Sequence, residues 1–236
     1  TSSGKVTKIL VEDGQPVEKL PKDYYSSKNF TDKTIQFIEE GRADGKPFLA
    51  YMAFTAPHGP LQVPDDWLRR YKNQYDEGWD VIRQRRIARM QELGIVDKGV
   101  NDADRLYFLP RSTALVPAAR VMQGRKMELY AGMVEYMDDQ IGRVFDYLKK
   151  IGEYDNTVVI FISDNGIAFP GAKTNLYEPG MRLPCIVRNP YGKRHGHATD
   201  AMVTWADIAP GTVNTRVAKS SPAKRAPAIQ GRSFLS

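Results

Sequence analysis

The chain has 236 residues, of which 42% are hydrophobic and 26% are charged, a composition typical of one globular domain with a sizeable core. It contains no run of about 18 apolar residues, so no membrane-spanning helix is predicted, and residues 1–15 lack the pattern of a signal peptide. A formal net charge of +6 favours an anionic substrate or partner, and a single cysteine excludes an internal disulfide framework.

The first half of the chain is predicted to contain two helices and one strand. Thr31 can cap a helix that ends at Gly41. The apolar run over residues 48–54 predicts a buried strand, because it is too short for most helices and is followed by a Gly- and Pro-rich loop that carries His58. Residues 65–94 are predicted to be helical and basic.

The second half begins with the longest predicted helix, residues 124–150, whose apolar stripe ends before Gly152. A strand over residues 157–162 follows, then a polar loop, then a second short strand over residues 182–188. Helices alternating with strands predict an α/β sheet flanked by helices. Residues 211–236 are small, basic and Pro-containing, which predicts an irregular tail.

Two other features have simple structural explanations. Cys185 lies in an apolar stretch and is interpreted as an inert core thiol. A cluster of arginines on the basic helix is interpreted as a solvated face, because no nucleic-acid motif or aromatic stacking pattern accompanies it. No nucleic-acid partner is therefore predicted. The cluster comprises Arg83, Arg85, Arg86 and Arg89.

Polar residues on two loops are candidates for chemistry. Asp164 and Asn165 come directly after a strand and offer a carboxylate and an amide oxygen, which suit Ca²⁺ or Mg²⁺, although "DNG" is also a common turn sequence. Lys173 could contact an anionic oxygen or be solvated. His58 could donate a proton, bind an anion or be an ordinary loop histidine.

Three segments together resemble the sulfatase family: "KPFLAYMAFTAPHGPLQVPDDW", "GEYDNTVVIFISDNG" and "GAKTNLYEPGMRLPCIVR". The resemblance covers about residues 24–210. It implies an alkaline phosphatase-like α/β fold with a mixed, largely parallel sheet flanked by helices. It also implies that Asp164 and Asn165 bind a divalent cation, usually calcium, and that His58 and Lys173 contact the substrate sulfate.

Two branches of the family are represented. The segment "YDEGWDVIRQRRIARMQELGIV" resembles bacterial arylsulfatases, whereas "SDNGIAFPGAKTNLYEPG" and "RNPYGKRHG" resemble the heparan N-sulfatase (sulfoglucosamine sulfohydrolase) branch. The resemblance therefore implies hydrolysis of sulfate esters or N-sulfo groups, on an aryl compound or on a carbohydrate. The expected partner is a small sulfated substrate or a sulfated glycan, and the family suggests a periplasmic, secreted or lysosomal location.

The nucleophile region of the family has no counterpart upstream of residue 24. Sulfatases place a metal-binding Asp-Asp pair there, followed by a C-x-P-S-R type signature whose first residue is oxidised to formylglycine. We therefore expect residues 1–236 to be part of a larger catalytic domain and to be inactive alone. The tail segment "SPAKRAPAIQGR", which begins at Ser221, loosely fits a serine form of the signature, but its position after the metal pair indicates a coincidence.

Two alternative functions stay open. A phosphatase or phosphodiesterase of the same superfold would usually need several His and Asp ligands for two metals, and the chain has three histidines. A noncatalytic remnant that binds sulfated glycans would keep the anion contacts without turnover. An upstream formylglycine signature would distinguish the sulfatase from the remnant.

Overall fold

The computed structural model describes residues 10–100, 110–169, 171–193 and 195–208. The chain divides into two compact units, Thr1–Tyr147 and Leu148–Ser236, which are described separately. The predicted tail over residues 211–236 lies outside the described residues. No described helix is both long enough and apolar enough to cross a bilayer.

The first unit is mainly helical. A short antiparallel hairpin pairs β1 with β2, and three helices follow along the chain, the last of which continues into the second unit. In chain order the elements are β1 (Val11–Glu12), β2 (Gln15–Pro16), α1 (Ser26–Gly41), α2 (Trp79–Glu92) and α3 (Pro117–Lys150).

Helix α1 begins earlier than the capping pattern predicts. The predicted end at Gly41 is confirmed, but the helix begins at Ser26, and Thr31 lies inside it instead of at its start. Ser27 and Thr31 are fully buried and share a face with the buried Ile38, because residues four and seven positions apart lie on one side of a helix. Burial of this face has overridden the capping preference of Thr31.

Helix α3 contributes half of the buried apolar residues described in the first unit. It starts at Pro117, seven residues before the predicted start, and a proline is well tolerated in the first turn because its missing N–H would have no helical partner there. Its buried side chains recur every three or four residues. Tyr136 makes edge-to-face contacts with Tyr25 and Trp67, with ring centroids 4.9 Å apart in both pairs. The buried apolar residues of α3 are Met133, Tyr136 and Val144 in the first unit and Leu148 in the second.

The predicted buried strand over residues 48–54 is wrong. The segment is not assigned to a strand, and Leu49 and Tyr51 are 83% and 79% exposed. A strand needs a neighbour to pair its backbone N–H and C=O groups, and no strand among the described residues pairs with this segment. The apolar pattern is present, but the pairing that would turn it into a strand is not.

The predicted helix over residues 65–94 is confirmed only in its second half. Turns and a short 3₁₀ segment occupy residues 65–78, and α2 begins at Trp79 after Gly78, whose φ of 87° is left-handed. None of the α2 side chains is fully buried. Arg85 forms an ion pair with Glu77, and Arg89 forms one with Glu92, as expected for a solvated basic helix.

The second unit contains one antiparallel strand pair. Strand β3 (Val159–Ile162) pairs with β4 (Cys185–Arg188), with Ile162 opposite Cys185. The single-turn helix α4 (Glu178–Met181) lies between them in sequence. The pairs in the described residues are all antiparallel, so the predicted largely parallel sheet is not confirmed at this level.

Strand β4 also corrects the interpretation of the cysteine. Cys185 is exposed and is not a core thiol, although partial burial of its sulfur raises its pKa. Neighbouring Ile186 is also exposed, at 63%, and because successive strand residues point to opposite faces, both faces of the sheet are open at these two positions. At the other end of the strand, Arg188 lies over the ring of Tyr154 at 3.8 Å and forms an ion pair with Asp155.

Candidate functional site

The candidate site in the second unit is the loop over residues 163–184, which connects β3 to β4 and is called the β3–β4 loop below. The loop is closed by its own backbone hydrogen bonds. The amide of Phe169 donates to Ile167 O at 2.7 Å, and the amide of Lys173 donates to the same oxygen at 3.1 Å. The amide of Ala172 donates to Phe169 O at 3.0 Å. These bonds fold the loop back on itself soon after it leaves β3.

Asp164 and Asn165 lie at the start of this loop, as the sequence predicts. The Nδ2 amide of Asn165 donates to Gly166 O at 2.9 Å, which leaves its Oδ1 oxygen able to accept or to bind a cation. Ser163 Oγ donates to Asn165 O at 3.0 Å and fixes the backbone of the pair. Asp164 is exposed, and its carboxylate has no hydrogen bond or ion pair with the described residues. The carboxylate of Asp164 and the Oδ1 oxygen of Asn165 are therefore available as ligands.

Lys173 lies farther along the same loop on a well-anchored backbone. The preceding Ala172 is only 1% exposed, and Lys173 O accepts a hydrogen bond from Asn175 Nδ2 at 3.0 Å. The Lys173 side chain is half-buried, and its ammonium forms no ion pair with the described residues. A lysine held in this way can present its charge to an anion without first breaking an ion pair.

Two glycines explain how the parts of the loop fit together. A Cβ atom on Gly166 would lie 2.4 Å from Pro179 O, and one on Gly180 would lie 2.1 Å from Asn175 O and 2.4 Å from Ala172 O. These distances are far below van der Waals contact, so only glycine permits the close approach of these backbones. The sequence analysis missed both glycines, although a Gly following Pro in "YEPGM" was a signal for a tight turn.

His58 lies on an exposed loop of the first unit. Its amide donates to Thr55 O at 2.9 Å, and its ring Nδ1 lies 2.8 Å from Gly59 O. A carbonyl oxygen can only accept a hydrogen bond, so Nδ1 is the donor in this contact, and Nε2 is the ring nitrogen left for other interactions. A shared site for His58 and Lys173 stays a prediction, because the two residues belong to separately described units.

The β3–β4 loop fits part of a metal site. Ca²⁺ takes about six to eight oxygen ligands, and Mg²⁺ requires about six. Asp164 and Asn165 have the right chemistry, but they supply only two side chains. The described residues contain no group of three or more His, Cys, Asp or Glu that could hold an ion. A complete site would need further ligands.

Comparison with known proteins identifies the family. The family model described as Sulfatase matches residues 4–214 of this chain. The chain belongs to the sulfatase family. It is 38% identical over 154 residues to an arylsulfatase of Klebsiella aerogenes, covering 65% of this chain and 32% of that protein. It is 39% identical over 170 residues to the human N-sulphoglucosamine sulphohydrolase, covering 71% of this chain and 31% of that protein.

Both branches that the sequence resembles are thus found among its relatives, and the chain spans about a third of the length of these two proteins. Among solved structures, the chain is similar to BT4656 in complex with its substrate, D-glucosamine-2-N,6-O-disulfate. The TM-score is 0.58 at 22% identity, covering 94% of this chain and 53% of that one. This likeness supports the alkaline phosphatase-like α/β fold.

Proposed function

We propose that this sulfatase chain contributes the β3–β4 loop to a site that removes sulfate from a sugar. The observation that carries the proposal is the loop itself. Asp164, Asn165 and Lys173 lie on one short, internally bonded segment, and neither charged side chain is neutralised by a described residue. Such a segment presents ligands for a cation and one positive charge for an anion.

Asp164 and Asn165 would hold the divalent cation; their oxygen donors suit Ca²⁺ or Mg²⁺, and the resemblance to the family favours calcium. When bound, that cation supplies positive charge to oxygens of the sulfate group. The internal hydrogen bonds of Ser163 and Asn165 fix the backbone that carries both ligands. The loop is therefore arranged before any ion binds, which lowers the entropic cost of binding.

Lys173 would contact the sulfate and stabilise the negative charge that develops on its oxygens. A fixed positive group stabilises a transition state effectively because it needs no reorganisation during the reaction. The buried Ala172 and the hydrogen bond from the Lys173 amide to Ile167 O hold the lysine backbone in place. His58 is proposed to contact the same sulfate, by resemblance to the family. The nucleophile, formylglycine in this family, is proposed to come from a segment that this sequence does not contain.

The relatives favour a sulfated sugar as the substrate. The human relative is named for N-sulphoglucosamine, and BT4656 binds a glucosamine disulfate. The Klebsiella relative is an arylsulfatase, so an aryl sulfate is the appropriate chromogenic probe. The net charge of +6 also suits an anionic substrate.

The test joins this chain to an upstream sulfatase segment that carries the formylglycine signature. Turnover is measured with an aryl sulfate and with glucosamine N-sulfate and 6-O-sulfate. Lys173→Ala should reduce kcat/KM by on the order of 10²-fold, as for loss of one group that stabilises developing negative charge. Lys193→Ala, which removes an exposed lysine of the same unit, is the matched control and should have little effect. Equal losses in both variants would contradict the proposed role of Lys173.

A further inference from the structure

The first unit contains a basic cleft that the proposed reaction does not use. It lies between the turns over residues 69–76 and the beginning of α3, and its volume is about 880 Å³. Ligand-binding pockets are typically about 300–1,000 Å³, so the cleft is large enough for an organic ligand. The ionisable side chains that line it are Arg69, Lys72, Arg120, Arg125, Asp76 and Glu128.

The lining of the cleft is positively charged, with four cations against two carboxylates. One of the carboxylates is already engaged. Glu128 is buried, accepts a hydrogen bond from the amide of Asn73 at 2.8 Å and forms an ion pair with Arg125 at 2.6 Å. Glu128 therefore neutralises Arg125, and the remaining lining has three cations, Arg69, Lys72 and Arg120, against the single carboxylate of Asp76.

Two of the arginines are held in place by backbone carbonyls. Arg120 Nη2 donates to Asp76 O at 2.9 Å, and Arg125 Nη1 donates to Leu68 O at 2.9 Å. A guanidinium has five N–H donors, so each arginine keeps donors for a ligand. Because these side chains are already ordered, binding an anion would cost less conformational entropy than it does for a free surface arginine.

Arg69 and Lys72 supply the uncommitted charge. Both side chains are exposed, and the amide of Lys72 donates to Arg69 O at 3.2 Å, which places the two residues on one turn. Neither forms an ion pair with a described residue. Two adjacent cations of this kind match a ligand with more than one anionic group.

The uncharged residues that line the cleft favour a saccharide over single-stranded nucleic acid as its ligand. Leu115, Pro117 and Val121 lie beside the cations, and Val121 is 70% exposed. Small aliphatic side chains can cover the carbon face of a sugar ring. None of the described residues that line the cleft is aromatic, whereas proteins that bind single-stranded nucleic acid use aromatic side chains to stack bases.

We infer that this cleft binds an anionic saccharide through its sulfate groups, as a second contact with a sulfated glycan. The inference takes its ligand class from the proposed function, but it does not depend on catalysis. Sulfate and carboxylate groups present the same kind of oxyanion to arginine, so the sulfated and desulfated forms of one saccharide must be compared.

The experiment measures binding of a fluorescently labelled heparin hexasaccharide to the full chain by anisotropy. Arg69→Gln/Lys72→Gln should weaken binding by about tenfold or more, since two charged contacts are lost. Arg85→Gln/Arg89→Gln makes the same change in net charge at two arginines that pair with acids, and it should weaken binding less than about threefold. Equal losses in the two variants would overturn the inference, because they would indicate a general charge effect.

Three further arms test the ligand and separate this inference from the proposed function. N- and O-desulfated heparin should bind at least about tenfold more weakly, and equal binding would overturn the role of sulfate. Tighter binding of single-stranded DNA of equal charge would also overturn the inference. The loss caused by Arg69→Gln/Lys72→Gln should be equally large in a Lys173→Ala background, because the cleft contact does not involve the β3–β4 loop. If binding depends on Lys173 but not on Arg69 and Lys72, the cleft inference fails while the proposed function stands.

Discussion

Replacing Gly180 with alanine should open the β3–β4 loop. The new Cβ atom would lie 2.1 Å from Asn175 O and 2.4 Å from Ala172 O. Both are backbone atoms, so no rotation of a side chain can relieve the overlap. The loop must shift, and the shift would break the bond from the amide of Asn175 to Ala172 O and the bond from the amide of Gly180 to Tyr177 O, which measure 3.0 and 2.8 Å.

The expected cost follows from these contacts. Two hydrogen bonds contribute about 1 kcal/mol each, and overpacking typically adds about 1–3 kcal/mol. Part of this cost should be avoided as the loop relaxes, so the free energy of unfolding should fall by about 2–4 kcal/mol. Amide hydrogen exchange should also become faster between residues 166 and 180, while the β3 and β4 amides stay protected.

The assay is urea unfolding together with hydrogen exchange, with Gly142→Ala as the control. Gly142 lies within α3 and has no atom within 4 Å of the position of an added Cβ. Alanine there should be neutral or stabilising by up to about 1 kcal/mol, since it is the better helix former. If Gly180→Ala unfolded at the same urea concentration as the wild type, the steric reasoning would be refuted.

Two other predictions concern a metal ligand and a charged cluster. Calcium binding to the chain, measured by calorimetry, should be weak because Asp164 and Asn165 supply few of the ligands that the ion needs. Asp164→Asn should abolish this binding, and unchanged binding would place the ion elsewhere. Burial tends to raise the pKa of Asp32, but hydrogen bonds from Lys28 and Arg143 outweigh it and lower the pKa. Stability from Asp32 is therefore present at neutral pH and lost as the pH falls below about 4. Asp32→Asn should cost up to about 1 kcal/mol in urea unfolding at pH 7 and less at pH 3, and a pH-independent cost would contradict this.

The elements that the sequence predicted best are those whose signal is local. The apolar repeat of α3 and its stop at Lys150 need no information from the rest of the chain, because a helix pairs its own backbone. Strand β3 and the Asp164–Asn165 pair at its end are likewise marked by an apolar run followed by a turn sequence. These parts of the fold and of the candidate site were predictable.

The errors arise where the outcome depends on distant parts of the chain. Thr31 is a good N-cap in isolation, but its position on the buried face of α1 decides its role. Residues 48–54 have the composition of a strand but lack a pairing neighbour among the described strands. The importance of Gly180 depends on carbonyls five and eight positions earlier in the chain, which only the folded loop brings near it. Sequence periodicity does not report such contacts.

The pairing of β3 with β4 makes the candidate site separable from the rest of the protein. The two strands are antiparallel, with Ile162 opposite Cys185, so the β3–β4 loop leaves and re-enters the fold at neighbouring positions. The ends of the loop are fixed side by side, and its described backbone hydrogen bonds join residues of the loop to one another. We therefore expect that it can be exchanged for the equivalent loop of a relative without disturbing the strand pair. The proposed cation ligands Asp164 and Asn165 would then be transferred together with Lys173 as one segment.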